Sequence, residues 1–185
     1  MRSNNKDRIE VITLGGGCFW CIETAFDEIR GVINVKSGYA GGESEAPTYS
    51  QVCSGTTGHA EVVQVKFNPD IISFREILEI FFTTHDPTTI NRQGADIGSQ
   101  YRSVIFYHNK NQRSVAEQVI SEIDATKTWD IPIVTQVESL KRFFMAEEKH
   151  RKYFIRHPES VYCRVVIAPK IAKLRKKYRE KLKKR

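Results

Sequence analysis

Three consecutive glycines, Gly15-Gly16-Gly17, separate a β-branched run from a helical pattern, and nothing else in the chain restricts its folding as much. Arg8 to Leu14 alternates as a strand does, and the glycines stop it because a residue without Cβ admits turns that other residues avoid. From Cys18 to Ile29 the apolar residues Phe19, Ile22, Phe26 and Ile29 recur at helical spacing. The local reading is strand, tight glycine turn, helix. Such a helix start leaves backbone N–H groups uncovered, so the side chain standing there meets the positive end of the helix dipole. That side chain is Cys18.

Further along, Val32 to Ser37 reads as a second strand, followed by a Gly/Ser/Pro-rich loop from Tyr39 to about Gly58. Ala60 to Phe67 is the clearest strand, closed by Asn68-Pro69. Ser73 opens a helix with Ile77, Leu78, Ile80 and Phe81 on its buried face, and His85-Asp86-Pro87 ends it. After an irregular loop from Thr88 to Gln100, the pattern predicts a strand over 101–107 and an amphipathic helix over 110–125. It then predicts a short strand over 131–136, a helical turn or two over 147–154, and a last strand over 161–167 before a basic C-terminal helix. Loosely alternating helices with five or six short strands imply an α+β fold, a two-layer sandwich. Two long loops inside one small domain exceed what a connection needs, and both carry aromatics and glycines, so they are expected to line a site.

Charge supports an enzyme body more than a polyanion binder. Of the formal charge of +7, the segment from Lys170 to Arg185 carries ten basic residues against one acidic, which leaves residues 1–169 close to neutral. We read 1–169 as a single catalytic domain and 170–185 as a basic helix or tail, a solvated helix end with no nucleic-acid role. Four cysteines in 185 residues are too few for a disulfide framework. Met1 to Arg8 has no apolar leader, and no stretch approaches the roughly 18 apolar residues of a membrane span. The expectation is a cytoplasmic protein, monomeric, with reduced thiols.

At the glycine turn Cys18 is the candidate nucleophile, its thiolate favoured by the helix start and its pKa expected below the ~8.5 of a free thiol. Cys21 follows within one turn, with Cα atoms about 5 to 6 Å apart, inside disulfide range. A Cys-x-x-Cys is also half of a zinc site, but Cys53 and Cys163 are isolated and supply no second half. Nor do His59, His85 and His150 follow any metal-ligand spacing. Phe19 and Trp20 are difficult to bury together in a first helical turn, so at least one is free to face a ligand. Glu23, a carboxyl group near that aromatic pair, is a candidate proton donor with a raised pKa.

The run Gly15-Gly16-Gly17-Cys18-Phe19-Trp20-Cys21-Ile22-Glu23 resembles the signature of the peptide methionine sulfoxide reductase A family. The likeness continues through Gly38-Tyr39-Ala40-Gly41-Gly42, Tyr49, Val52-Cys53-Ser54-Gly55, Thr57-Gly58-His59-Ala60-Glu61, His85-Asp86-Pro87-Thr88, Asn91, Gln93-Gly94, Asp96, Gly98 and Gln100-Tyr101-Arg102-Ser103. Weaker matches follow at Ala146-Glu147, His150, Tyr153, Tyr162-Cys163 and Pro169-Lys170. The resemblance implies a ferredoxin-like core enlarged by coils and the reduction of methionine S-sulfoxide, free or in proteins, as oxidative-damage repair. It further implies that Cys18 attacks the sulfoxide sulfur while Phe19 and Trp20 contact the methyl group. Glu23, Tyr39 and Tyr101 would then hydrogen-bond the sulfoxide oxygen, with Glu23 giving the proton and Asp96 supporting the site. No bound cofactor or metal is implied; thioredoxin is the reductant.

Three positions depart from the commonest family pattern: Cys21 stands where many relatives have Gly, Met145 replaces a frequent Pro, and the C-terminus is basic where relatives carry a cysteine-bearing tail. With no late tail cysteine, Cys21 is the natural resolving thiol, and Cys53 and Cys163 are read as structural. Two rival readings are a general thiol-disulfide oxidoreductase, from the Cys-x-x-Cys alone, and an anion-binding module built on the tail. Neither explains both long loops.

Overall fold

The computed structural model describes residues 8–184, so the leaderless segment before Arg8 lies outside the described residues. Strand β1 (Glu10–Gly15) leads through the glycine turn into α1 (Phe19–Asp27), and β2 (Val32–Ala40) follows. The first long loop contains a short helix, α2 (Tyr49–Cys53), started by a capping box in which Thr48 and Gln51 satisfy each other's backbone N–H groups. Next come β3 (Ala60–Phe67) and α3 (Phe74–Thr84), the latter opened by a second capping box of Ser73 and Glu76. The second loop holds a two-residue hairpin, β4 (Arg92–Gln93) and β5 (Asp96–Ile97), before β6 (Val104–Tyr107) and α4 (Lys110–Ala125). Strands β7 (Gln136–Ser139) and β8 (Phe143–Met145), helix α5 (Tyr153–Arg156) and helix α6 (Ala168–Lys177) complete the chain.

Six of these strands form one mixed sheet in the order β7-β6-β1-β3-β2-β8. All its pairs are antiparallel except β6 with β7. Helices α1 and α3 bury Ile22, Phe26, Ile77, Leu78 and Phe81 against Ile12, Leu14, Val63, Val65 and Phe67 of the sheet, all without solvent exposure. The other face is covered by a smaller cluster of Ala40, Ala60, Val62, Val104 and Phe106. Because β3 is central and buried on both faces, any polar side chain on it is held away from water. Glu61 is the one carboxylate there.

Two predicted strands take other forms. Residues 161–167 are helical: a π-helical turn, Cys163–Ile167, runs directly into α6. Its buried positions Cys163 and Ile167 continue at Ile171 and Leu174, a helical stripe, while Val161 and Val165 face solvent. Pro169 brings no N–H to the turn behind it, where the helix loosens. The strand read over 131–136 begins only at Gln136, because the preceding backbone is bonded elsewhere. Ile133 N–H donates to Asp124 Oδ1 at 3.0 Å and Val134 N–H to the Pro87 carbonyl at 2.8 Å.

The basic segment packs on the body instead of standing free. Ile171 and Leu174 are buried, the Arg175 guanidinium pairs with Glu28, Lys181 pairs with Glu76, and Leu182 bridges to Ile29. No helix among the described residues is long and apolar enough to cross a membrane.

Candidate active site

The glycine turn is shaped by what presses on it. A Cβ on Gly16 would lie 2.9 Å from the His85 ring, and one on Gly17, whose φ is +90°, would lie 2.6 Å from Gln93 Cγ. Those two side chains come from the end of α3 and from β4, so the second loop clamps the turn. Cys18 then occupies the N-cap position of α1 in extended conformation, its side chain making no cap bond. The cap comes from β3: Phe19 N–H donates to Glu61 Oε2 at 3.0 Å.

Glu61 is 1% exposed, and burial pushes its carboxyl up to about 8 against the pull of the Phe19 N–H. A largely protonated carboxyl therefore faces the thiol at neutral pH. Burial, the hydrogen bond from Cys21 and the Glu61 charge raise the Cys18 thiol well above the ordinary range, whereas its hydrogen bond with Cys18 lowers Cys21. This reverses the expectation of a low-pKa Cys18 in the free protein. The sequence shows the helix start but hides the depth at which the sulfur is buried.

Around this pair the aromatics close in. Phe19 is fully buried, with ring centroids 5.8 Å from Tyr39 and 6.3 Å from Tyr49. Trp20 stacks on Tyr153 at 3.7 Å and meets the edge of Tyr162 at 5.8 Å. Tyr162 donates to Asp96 Oδ2 at 2.7 Å, and its hydroxyl also lowers both cysteine thiols. The phenols of Tyr49 and Tyr101 are held above their ordinary range by burial and by nearby Cys53, Glu61 and Cys18. Cys18, Cys21, Phe19, Trp20, Tyr101 and Asp96 are thus brought together as read from the sequence.

Glu23 and Tyr39 are placed otherwise. Glu23 is 2% exposed, but its Oε2 accepts the Lys152 N–H at 2.9 Å, and it lines a side pocket with Thr24, Asp27, Lys152 and Arg175. Burial raises its carboxyl to about 7, with Asp27 adding to the rise; no group bearing on it belongs to the thiol site. Five helical residues rotate a side chain by about 140° net, which turns Glu23 away from Cys18. The Tyr39 hydroxyl donates to Glu147 Oε2 at 2.7 Å. The other oxygen of Glu147 accepts the Tyr49 N–H at 2.8 Å.

Glu61, Tyr49, Tyr162 and Glu147 received no role from the sequence, although each lies in a motif noted there. The readable signal was a carboxylate in the otherwise apolar run Ala60-Glu61-Val62-Val63, an arrangement a central strand does not keep without use. The three histidines named as spaced wrongly for a metal are separately engaged. His59 accepts the Gly42 N–H at 3.0 Å, His85 bonds Ser103 Oγ at 2.7 Å, and His150 lies in the aromatic cluster.

A family model described as peptide methionine sulfoxide reductase matches residues 10–182. The peptide methionine sulfoxide reductase MsrA of Natronomonas pharaonis is 54% identical over 170 residues, covering 92% of this chain and 96% of its own. That of Saccharolobus solfataricus is 52% identical over 175 residues, with 95% and 98% covered. Among solved structures, reduced Mxr1 from Saccharomyces cerevisiae superposes with a TM-score of 0.78 at 37% identity, over 86% of this chain and 91% of that one. Methionine sulfoxide reductase A of Corynebacterium diphtheriae gives 0.74 at 32% identity, over 85% and 78%. A glycine-led thiol, the aromatic cluster beside it and a match across nearly the whole chain agree: this chain belongs to the peptide methionine sulfoxide reductase family and is an oxidoreductase of that kind.

Proposed function

We propose that the protein reduces the S epimer of methionine sulfoxide by oxygen transfer to Cys18, with Glu61 as the proton donor in place of Glu23. The observation that carries this assignment is the Phe19 N–H to Glu61 hydrogen bond, which fixes a protonated, water-excluded carboxyl against the Cys18 end of α1. A sulfoxide sulfur is a poor electrophile until its oxygen is protonated or strongly hydrogen-bonded. Glu61 gives its proton to that oxygen as Cys18 Sγ bonds to the sulfur, and the thiol proton returns to Glu61. Tyr49 and Tyr101, the phenols that feel both Glu61 and Cys18, add hydrogen bonds. Oxygen ends on Cys18 as a sulfenic acid, so the substrate sulfur gains two electrons and Cys18 loses two. Phe19 and Trp20 form the wall for the methyl group, and Tyr162 holds Asp96 across the cysteine pair.

Recycling proceeds by attack of Cys21, whose thiol is the more acidic of the pair, on the sulfenic acid; water leaves and a Cys18–Cys21 disulfide forms. A thioredoxin-type dithiol then reduces it, with no bound cofactor. The solved complex of Mxr1 with Trx2, at a TM-score of 0.55 and 28% identity, supports that choice of partner. Strands β6-β1-β3-β2 with α1 and α3 between them support the ferredoxin-like reading of the core. A reducing compartment, the cytoplasm, and a monomeric catalytic unit suit this cycle. The deciding test is turnover on the separated S and R epimers with dithiothreitol. Reduction of the S epimer alone supports the reading, and equal or preferential use of R overturns it.

A further inference from the structure

His150 is 4% exposed, yet neither ring nitrogen has a hydrogen-bond partner among the described residues. The nearest carboxylate oxygen, Glu147 Oε2, is 4.0 Å from Nε2 and already accepts the Tyr39 hydroxyl. Its ring packs 4.2 Å from Tyr49, 5.7 Å from Phe19 and 5.8 Å from Trp20, inside the cluster that flanks the thiol. Trp20 Nε1 in the same cluster is also buried without a partner. Buried polar groups left unpaired cost about 1–3 kcal/mol each, so two in one cage mark a place where a ligand supplies what the protein does not.

The chemistry of the two groups narrows that ligand. An indole N–H only donates, and burial lowers the His150 pKa so that the neutral ring offers one donor. What completes the pair is an acceptor atom. The sulfoxide oxygen is taken by Glu61 and the phenols, and none of the charges that bear on His150 comes from the cysteine pair: they are those of Glu147 and Lys149. The remaining strong acceptor of an oxidised methionine residue is its main-chain carbonyl oxygen. A neutral imidazole beside the Glu147 carboxylate suits that uncharged oxygen better than the carboxylate of a free amino acid.

We propose that His150, together with Trp20 Nε1, holds the main-chain carbonyl oxygen of the oxidised residue and sets a preference for methionine sulfoxide within a peptide. The proposal rests on the sulfoxide-reducing site described above. The test compares kcat/KM, with dithiothreitol, for N-acetyl-methionine sulfoxide amide and for dimethyl sulfoxide, which has a sulfoxide and no main chain. His150→Phe should lower the ratio of the two about tenfold, mainly through KM of the peptide-like substrate. His150→Gln, whose amide still donates, should restore part of it. An unchanged ratio, whether both rates fall together or neither moves, overturns the proposal. Because dimethyl sulfoxide reports the thiol site alone, a failure of that site shows as loss on both substrates in the parent protein.

Discussion

Glu61 reaches across 42 positions of sequence to cap the helix that Cys18 opens, its Oε2 accepting the Phe19 N–H at 3.0 Å. One carboxyl therefore fixes the backbone on which the nucleophile stands and holds the proton the reaction consumes. The cap also ties the acid to the nucleophile: a shift of β3 moves both together.

Glu61→Gln should lower kcat roughly 10²-fold or more, the scale of general acid catalysis, since the amide still bonds the Phe19 N–H but delivers no proton. Glu23→Gln should change kcat little. The protonated form of Glu61 is the active one, so its activity falls as pH rises through about 8, and the Gln variant should lack that limb. Steady-state pH profiles of the three proteins check this; a dead Glu23 variant beside an active Glu61 variant would reverse the assignment.

In the free protein, alkylation of Cys18 by iodoacetamide should titrate above the ordinary thiol range, because burial and the Glu61 charge both oppose the thiolate. Replacing Glu61 by Gln should move that titration downward. Mass mapping of the labelled cysteine at each pH identifies the site, and a Cys18 titration near or below 8.5 sinks the argument.

Cys21→Ser should reduce one equivalent of sulfoxide and then stall as a Cys18 sulfenic acid when thioredoxin is the reductant. Dithiothreitol attacks the sulfenic acid directly and should rescue part of the rate. The competing outcome is a link from Cys18 to Cys53 or Cys163 in the oxidised parent, which peptide mapping would reveal. Cys163 is fully buried in the π turn, and Cys53 lies at the end of α2.

Gly17→Ala should cost about 1–3 kcal/mol of stability, because a Cβ at φ +90° is strained and would lie 2.6 Å from Gln93 Cγ. Activity should fall with it, since the same turn aims Cys18. Denaturant unfolding and turnover, measured on one preparation, give both numbers; a fully active and fully stable variant would show that the clamp from β4 is dispensable.

Much of this was readable in the chain. The glycine stop before Cys18, the helical period through Ile29 and the alternation from Ala60 to Phe67 are local signals, and the structure follows them. Glu61 was misjudged because its importance lies in a partner 42 residues away, and helix spacing alone made Glu23 look nearer than its rotation allows. The Thr48/Gln51 capping box inside the first loop was legible but passed over. Val161 to Ile167 alternates as a strand would; its helical state is set by burial shared with Ile171 and Leu174, which short-range periodicity cannot weigh.

The face-to-face stack of Trp20 on Tyr153, 3.7 Å apart and 5° from parallel, makes the site its own optical reporter. The chain has two tryptophans, and the other, Trp129, lies outside the aromatic cluster in the connection after α4. In a Trp129→Phe background the emission comes from a single indole seated one residue from Phe19 and two from Cys18. Substrate entry, sulfenic acid formation and disulfide closure each alter what surrounds that ring, so their rates become separable by stopped-flow fluorescence without any added label.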